Sequence, residues 1–312
     1  MKIDTLVLSG GSTKVPAFIG AFRALKEHNI LNDTLDGITH IITCSVGMMY
    51  ALIILLHVSD PVLESIMQRL CFSEILDIEN IHINNLLFDL GLFDNSKITS
   101  IISTILREKY DTETMSMQEL YDMSGIKLTA KVCNNTKACV EYFSHENEPD
   151  LSITKLLQMT TAIPLFFKPI PYKGCLYVDG GTAGGFATEI AGDNYLGIQL
   201  KGPSKAKAAE SLLDEIPLIG YILQGLTISC EDTSQPDCKK IVIPSPIHFI
   251  NFKLSLDEKQ TLIDDGYRYT IEHIKNYTLT NDDIEGSLQD TCEPDEPTEP
   301  CEDTDPIVRV PC

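Results

Sequence analysis

No apolar run in the 312-residue chain reaches the roughly 18 residues of a membrane-spanning helix, so the sequence offers no transmembrane segment. Its first residues, Met1-Lys2-Ile3-Asp4, hold no apolar stretch of signal-peptide length, and a strand-like run follows directly. These absences lead us to expect a cytoplasmic protein whose membrane association, if any, is peripheral. Basic residues are scarce. There are 24 Lys and Arg against 45 Asp and Glu, a net charge of −21. Such a balance is repelled by nucleic acid phosphates and by anionic lipid surfaces. Nucleic acid is therefore excluded as a partner, and any transient lipid-surface contact must rest on apolar burial. Metal-ligand spacing is also missing. Cys133 and Cys139, Cys230 and Cys238, and Cys292 and Cys301 are each too far apart for a C-x₂₋₄-C clip, and the seven histidines make no ligand pattern. We expect no metal and no other cofactor. The glycine pair Gly10-Gly11 lacks the G-x₄-G-K-[ST] arrangement of a phosphate loop, and no internal repeat is visible.

What is present is an ordinary globular composition, 43% hydrophobic, with its charge unevenly placed. Residues 285–312 carry nine acidic side chains against Arg309 alone. From about Asn281 onward Asp, Glu, Pro, Thr and Cys dominate, and such a segment cannot bury enough apolar surface to offset its ordering. The expected organisation is one domain over 1–280 and a disordered acidic tail over 281–312.

Within the domain, Thr5-Leu6-Val7-Leu8 reads as a short, doubly covered strand, followed by the loop Ser9 to Lys14 and a helix from Pro16 to His28. A second strand, His40 to Thr43, leads through a small polar turn into the apolar helical run Met48 to Val58. Helices are read at 61–70, 95–108, 117–123, 152–159, 211–228 and 257–277, with Gly91 to Asp94 as a turn. Strands are read at 126–132, 139–143, 176–178, 195–200 and 241–243. This order argues for an α/β fold, a three-layer α/β/α sandwich with a mostly parallel central sheet.

Three segments fall where such sheets place their active sites, at the C-terminal edges of strands taken as parallel. The first is the Gly10-Gly11-Ser12 loop, whose backbone N–H groups form a natural oxyanion hole. The second is Thr43-Cys44-Ser45-Val46-Gly47, laid out as a nucleophile elbow of strand, sharp turn and helix. The third is Asp179-Gly180-Gly181, a carboxylate on a strand end that can serve the serine as base. Each has a plainer reading alone: Ser45 as a helix N-cap, Asp179 as the start of an Asp-Gly turn. Lys14 reads equally as a support for the glycine loop or as a solvated side chain. Cys44 reads as a small buried filler, and Met48, Met49 and Ile53 to Leu56 as core. An α/β-hydrolase triad would draw on His248, in a loop, or His273, read as surface. The 211–228 helix reads as a packed element or a lipid-facing lid.

Taken together, Ser9-Gly10-Gly11-Ser12-Thr13-Lys14, Thr43-Cys44-Ser45-Val46-Gly47 and Asp179-Gly180-Gly181 resemble the patatin-like phospholipases. Thr160-Thr161-Ala162-Ile163-Pro164 and Leu262-Ile263-Asp264-Asp265-Gly266 are similar to that family's approach to its Asp-Gly-Gly strand and to its closing helix. The resemblance implies a serine lipid acyl hydrolase of phospholipase A or lysophospholipase type, acting on lipid or phospholipid through a Ser–Asp dyad. It casts Ser45 as nucleophile, Asp179 as proton acceptor, and Gly10, Gly11 and Ser12 as the oxyanion hole. Lys14, Thr43, Gly47, Gly180 and Gly181 are the supporting motif positions. The chain departs from the family pattern where Ser12, Val15 and Thr43 replace glycines, and where Gly184-Gly185 replaces Asn-Pro. Those departures keep a second reading open, a catalytically weak lipid-binding or interaction protein on the same fold.

Overall fold

The computed structural model describes residues 3–70, 86, 88–203, 237–247 and 251–277. The 211–228 helix, His248 and the acidic tail lie outside the described residues.

The sheet is built outward from β1 (Thr5–Leu8) and β2 (His40–Cys44), which pair in parallel with Leu8 opposite Thr43. β9 (Tyr195–Lys201) lies on the other side of β1, and β10 (Lys240–Pro244) beyond it, both parallel. On the β2 side, β4 (Lys127–Asn134) continues the parallel run. Two antiparallel strands then pair with β4: β5 (Cys139–Phe143) as a hairpin, and β8 (Cys175–Asp179), which in turn pairs with β7 (Ile170–Tyr172). The sheet order is β10-β9-β1-β2-β4-β8-β7, with β5 on β4. It is the mostly parallel α/β sheet expected.

Side-chain alternation sorts the sheet's two faces. Leu6, Leu8 and Ile41 join the large core, shared with α1 (Pro16–Glu27) and α2 (Val46–Leu55). The same core takes in α3 (Asp60–Arg69), α4 (Ser96–Tyr110), α5 (Met117–Ser124), α6 (Ile153–Thr160) and α7 (Leu256–Tyr277). Val7 and Ile42 point the other way, onto Phe186, Ala187 and Ala191. Because both faces are covered, β1 and β2 are apolar without alternation, which is why they were legible as buried parallel strands.

Two local differences from the sequence reading have simple causes. Gly91–Phe93 is not a turn but a strand, β3, paired in parallel with β6 (Leu165–Phe167). Its partner lies more than 70 residues on, so no local pattern marks it. β6 and β7 lie among Pro164, Pro169 and Pro171, where prolines obscure any strand pattern; Pro171 is tolerated because it sits in the terminal strand of the sheet order.

Candidate active site

β2 delivers Ser45 and then stops. Ile41 to Cys44 are buried, and α2 begins at Val46, so the chain must reverse within one residue. Ser45 takes up that reversal with φ 52 and ψ −128, a costly conformation for a residue bearing a side chain. This is the strained elbow geometry that projects a side chain away from both neighbouring elements. Gly47 makes it sterically feasible. A Cβ there would lie 2.5 Å from the Leu8 carbonyl oxygen and 2.7 Å from that of Ser9, so only glycine lets α2 pack this close behind β1. Thr43 needs no glycine's freedom. It stays within β2, fully buried, and its hydroxyl donates to the Thr129 carbonyl on β4 at 3.0 Å.

Asp179 reaches Ser45 by a route the sequence did not suggest. It ends β8, but β8 runs antiparallel to β4, so it is not on a parallel strand edge. β5 occupies one edge of β4 from Ala130 to Asn134. β2 pairs with β4 from Lys127 to Lys131 and β8 pairs from Val132 to Asn134, so both lie along the opposite edge. The C-terminal ends of β2 and β8 therefore meet head-on. The Ser45 hydroxyl donates to Asp179 Oδ2 at 2.7 Å, and the Gly181 backbone N–H donates to Oδ1 at 2.7 Å. Both side chains are buried. Burial pushes the Asp179 carboxyl up to about 6, against the lowering effect of the bonds from Ser45 and Gly181. Gly180 completes the turn against β4, where a Cβ would lie 2.3 Å from the Lys131 carbonyl oxygen.

The glycine loop requires one correction. The Gly10 N–H donates to the Gly185 carbonyl at 2.8 Å and is therefore occupied, so it is not an oxyanion donor in this arrangement. Gly185 belongs to the segment where this chain departs from the family's Asn-Pro. The N–H groups of Gly11 and Ser12 have no hydrogen-bond partner among the described residues. Ser12 has φ 52 and shares a cavity wall with Ser45. Ser9 anchors the loop to β9: its hydroxyl donates to the Gly10 carbonyl at 2.7 Å and accepts the Leu200 N–H at 2.8 Å. Lys14 is buried rather than solvated, and burial lowers its ammonium to about 8.

Beside Ser45 lies an apolar cavity of about 30 Å³, lined in part by Val46, Met49, Ile98, Ile163 and Phe167. No histidine lines it among the described residues. His273, read as surface, is instead buried on α7 with its ring 4.7 Å from that of Tyr277; the helix is charged, but this residue faces inward. Cys44 is fully buried, and desolvation together with Asp179 raises its thiol well above the usual range, so it stays protonated. Among the described residues no group of three His, Cys, Asp or Glu could hold a metal ion, and no helix is long and apolar enough to cross a membrane.

Sequence reasoning missed two supporting features. Lys131 is almost fully buried; its ammonium donates to the Ala183 carbonyl at 2.9 Å and pairs with Glu189 at 2.7 Å, while the Tyr142 hydroxyl bonds the same carboxylate. These contacts brace the turn that follows Asp179. Thr160 holds the Ser45 backbone N–H through its hydroxyl at 2.9 Å. Neither residue carries a local pattern that marks it; a lysine inside an apolar strand is the one weak signal.

A strained serine between strand and helix, bonded to a buried carboxylate on a mostly parallel sheet, defines an α/β protein with a Ser–Asp pair at a sharp strand-to-helix turn. The chain belongs to the patatin-like phospholipase family, whose model matches residues 6–191. It is 28% identical over 189 residues to the probable lipid hydrolase 463L of Invertebrate iridescent virus 6, an alignment covering 60% of this chain and 62% of that protein. The chain thus spans less than two thirds of that relative. It is 22% identical over 286 residues to the uncharacterized protein R571 of Acanthamoeba polyphaga mimivirus, covering 88% of this chain and 94% of that one. In fold it is similar to VipD of Legionella pneumophila, with a TM-score of 0.64, 16% identity, and coverage of 89% and 67% of the two chains. The type III effector ExoU of Pseudomonas aeruginosa is also similar, with a TM-score of 0.52, 14% identity, and coverage of 89% and 54%.

Proposed function

We propose that the chain is a lipid acyl hydrolase that cleaves carboxylic esters of phospholipids or lysophospholipids through Ser45 and Asp179. The observation that carries this reading is the 2.7 Å bond from Ser45 Oγ to Asp179 Oδ2, made by a serine held at φ 52. Asp179 accepts the hydroxyl proton as Oγ attacks the ester carbonyl. The N–H groups of Gly11 and Ser12 face the oxyanion as it forms. Collapse of the tetrahedral intermediate returns the proton to the leaving alkoxide and leaves the acyl group on Ser45. Water then attacks the acyl-enzyme, again losing its proton to Asp179, and the fatty acid departs as Oγ recovers that proton. Family membership and the apolar wall beside Ser45 support a lipid acyl chain as substrate. Contact with a lipid surface would be transient and apolar, given the net charge of −21.

A second reading, a lipid-binding protein with little turnover, is favoured by one observation. The Gly10 N–H is taken up by the Gly185 carbonyl at 2.8 Å, which leaves the glycine loop one donor fewer for an oxyanion. A fluorophosphonate probe separates the two. Stoichiometric labelling of Ser45, abolished in Ser45→Ala, together with fatty acid release from phosphatidylcholine vesicles, supports the hydrolase. Lipid binding without labelling or release supports the binding protein.

A further inference from the structure

We propose that Thr160 is a positioning residue that fixes the backbone of Ser45 and so sets the aim of its hydroxyl, an inference that rests on the hydrolase reading above. Ser45 sits at the break between β2 and α2, so its N–H belongs to neither a sheet ladder nor a helix. It is nevertheless buried, and a buried N–H needs a partner. The partner is Thr160 Oγ1 at 2.9 Å. That hydroxyl has one proton, which it donates to the Lys131 carbonyl at 2.8 Å. Its roles are thereby fixed. With the proton committed to Lys131, only a lone pair can face Ser45.

The placement gives this bond its leverage. Lys131 is the β4 residue opposite Cys44, at the junction where β2 and β8 meet. Thr160 is the last residue of α6, a helix whose start is capped by Ser152 accepting the Lys155 N–H at 3.2 Å. Two residues beyond it, the Ala162 carbonyl accepts the Asp179 N–H at 2.8 Å. One helix end therefore grips both members of the pair: Ser45 through a side chain, Asp179 through the main chain. Thr160 is fully buried and does not line the cavity, so it touches the reaction only through Ser45. Without the hydroxyl, the elbow loses the bond that opposes relaxation of a strained φ, and a shift of about 1 Å at a reacting atom can cost on the order of 100-fold in rate.

The test compares Thr160→Val, which keeps the shape and removes the hydroxyl, with Thr160→Ser, which keeps the hydroxyl. In the Val variant kcat is expected to fall by 10- to 100-fold with KM within about twofold, and fluorophosphonate labelling of Ser45 should slow in parallel. Thr160→Ser should recover kcat to within about threefold of wild type. The proposal is overturned if Thr160→Val keeps kcat within twofold, if its loss lies in KM alone, or if Thr160→Ser falls equally far. Should the Val variant not fold, hydrogen exchange at the Ser45 amide of the wild-type protein decides: strong protection supports the bond, and exchange at an unprotected rate overturns it. A wild-type protein with neither labelling nor esterase turnover would instead sink the hydrolase reading itself.

Discussion

Ser45 and Asp179 share a hydrogen bond of 2.7 Å at the point where two strands meet end to end, and the carboxylate there is almost entirely removed from water. That burial has a stability cost. With the folded pKa raised from 3.8 to about 6, the native state holds the Asp179 proton more tightly than the unfolded chain does. The corresponding stabilisation is complete below about pH 4 and is lost as pH rises through about 6. At pH 8 the charged form therefore weakens the fold by about 3 kcal/mol at most. Asp179→Asn removes the charge while its carbonyl oxygen keeps the Gly181 N–H. The variant is expected to lose at least 10³-fold in kcat and yet to melt several degrees above wild type at pH 8, with the gap closing towards pH 4. Calorimetry at the two pH values checks the sign. A variant less stable than wild type at pH 8 would contradict the burial argument.

The same ionisation should appear in turnover. Proton acceptance from Ser45 needs the carboxylate form, so kcat/KM is expected to rise with pH through a single step near 6 and then level. Histidine control would place a step close to its ordinary 6.5, but no histidine lines the cavity among the described residues. Stopped assays with a soluble short-chain ester between pH 4.5 and 9 read the midpoint. A flat profile would remove Asp179 from the base role.

Gly47 offers a purely steric test. A Cβ there would fall 2.5 Å from the Leu8 carbonyl oxygen and 2.7 Å from that of Ser9, backbone atoms at the end of β1 and just beyond it. Gly47→Ala must push α2 away from β1. The expected cost is about 1–3 kcal/mol, with a loss of activity beyond what that destabilisation explains, because the elbow moves with the helix. Thermal unfolding and fluorophosphonate labelling rates on the same sample separate the two effects.

Much of this site was legible because its parts are local. The apolar run to Cys44, the serine and Gly47 together specify a strand, a reversal and a tightly packed helix within a few residues. Asp179-Gly180-Gly181 was equally visible as a strand end. What could not be read was how the pieces meet. The head-on approach of β8 depends on β5 occupying the far edge of β4, a pairing without any mark near Asp179. The engagement of the Gly10 N–H by Gly185 is likewise a contact across 175 positions. In the sequence Thr160 stands out only as part of the approach to the Asp-Gly-Gly strand, because its hydroxyl acquires a role only once α6 docks against β4. His273 shows the limit of local charge as a guide, since a polar helix still buries one face.

Thr43 stands where the elbow pattern usually has glycine, and the structure explains why the threonine is tolerated. It adopts ordinary strand geometry, and its hydroxyl satisfies the Thr129 carbonyl at 3.0 Å in a fully buried position. Restoring glycine should therefore harm rather than help. Thr43→Gly removes a buried hydrogen bond and adds backbone freedom to a central strand, a combined cost of about 1–3 kcal/mol. No gain in turnover is expected, because the reversal is carried by Ser45 and the close approach by Gly47. Denaturant unfolding measures the first effect and ester turnover at matched folded fraction measures the second. A Thr43→Gly protein that is more active at unchanged stability would show that the threonine side chain restricts the site.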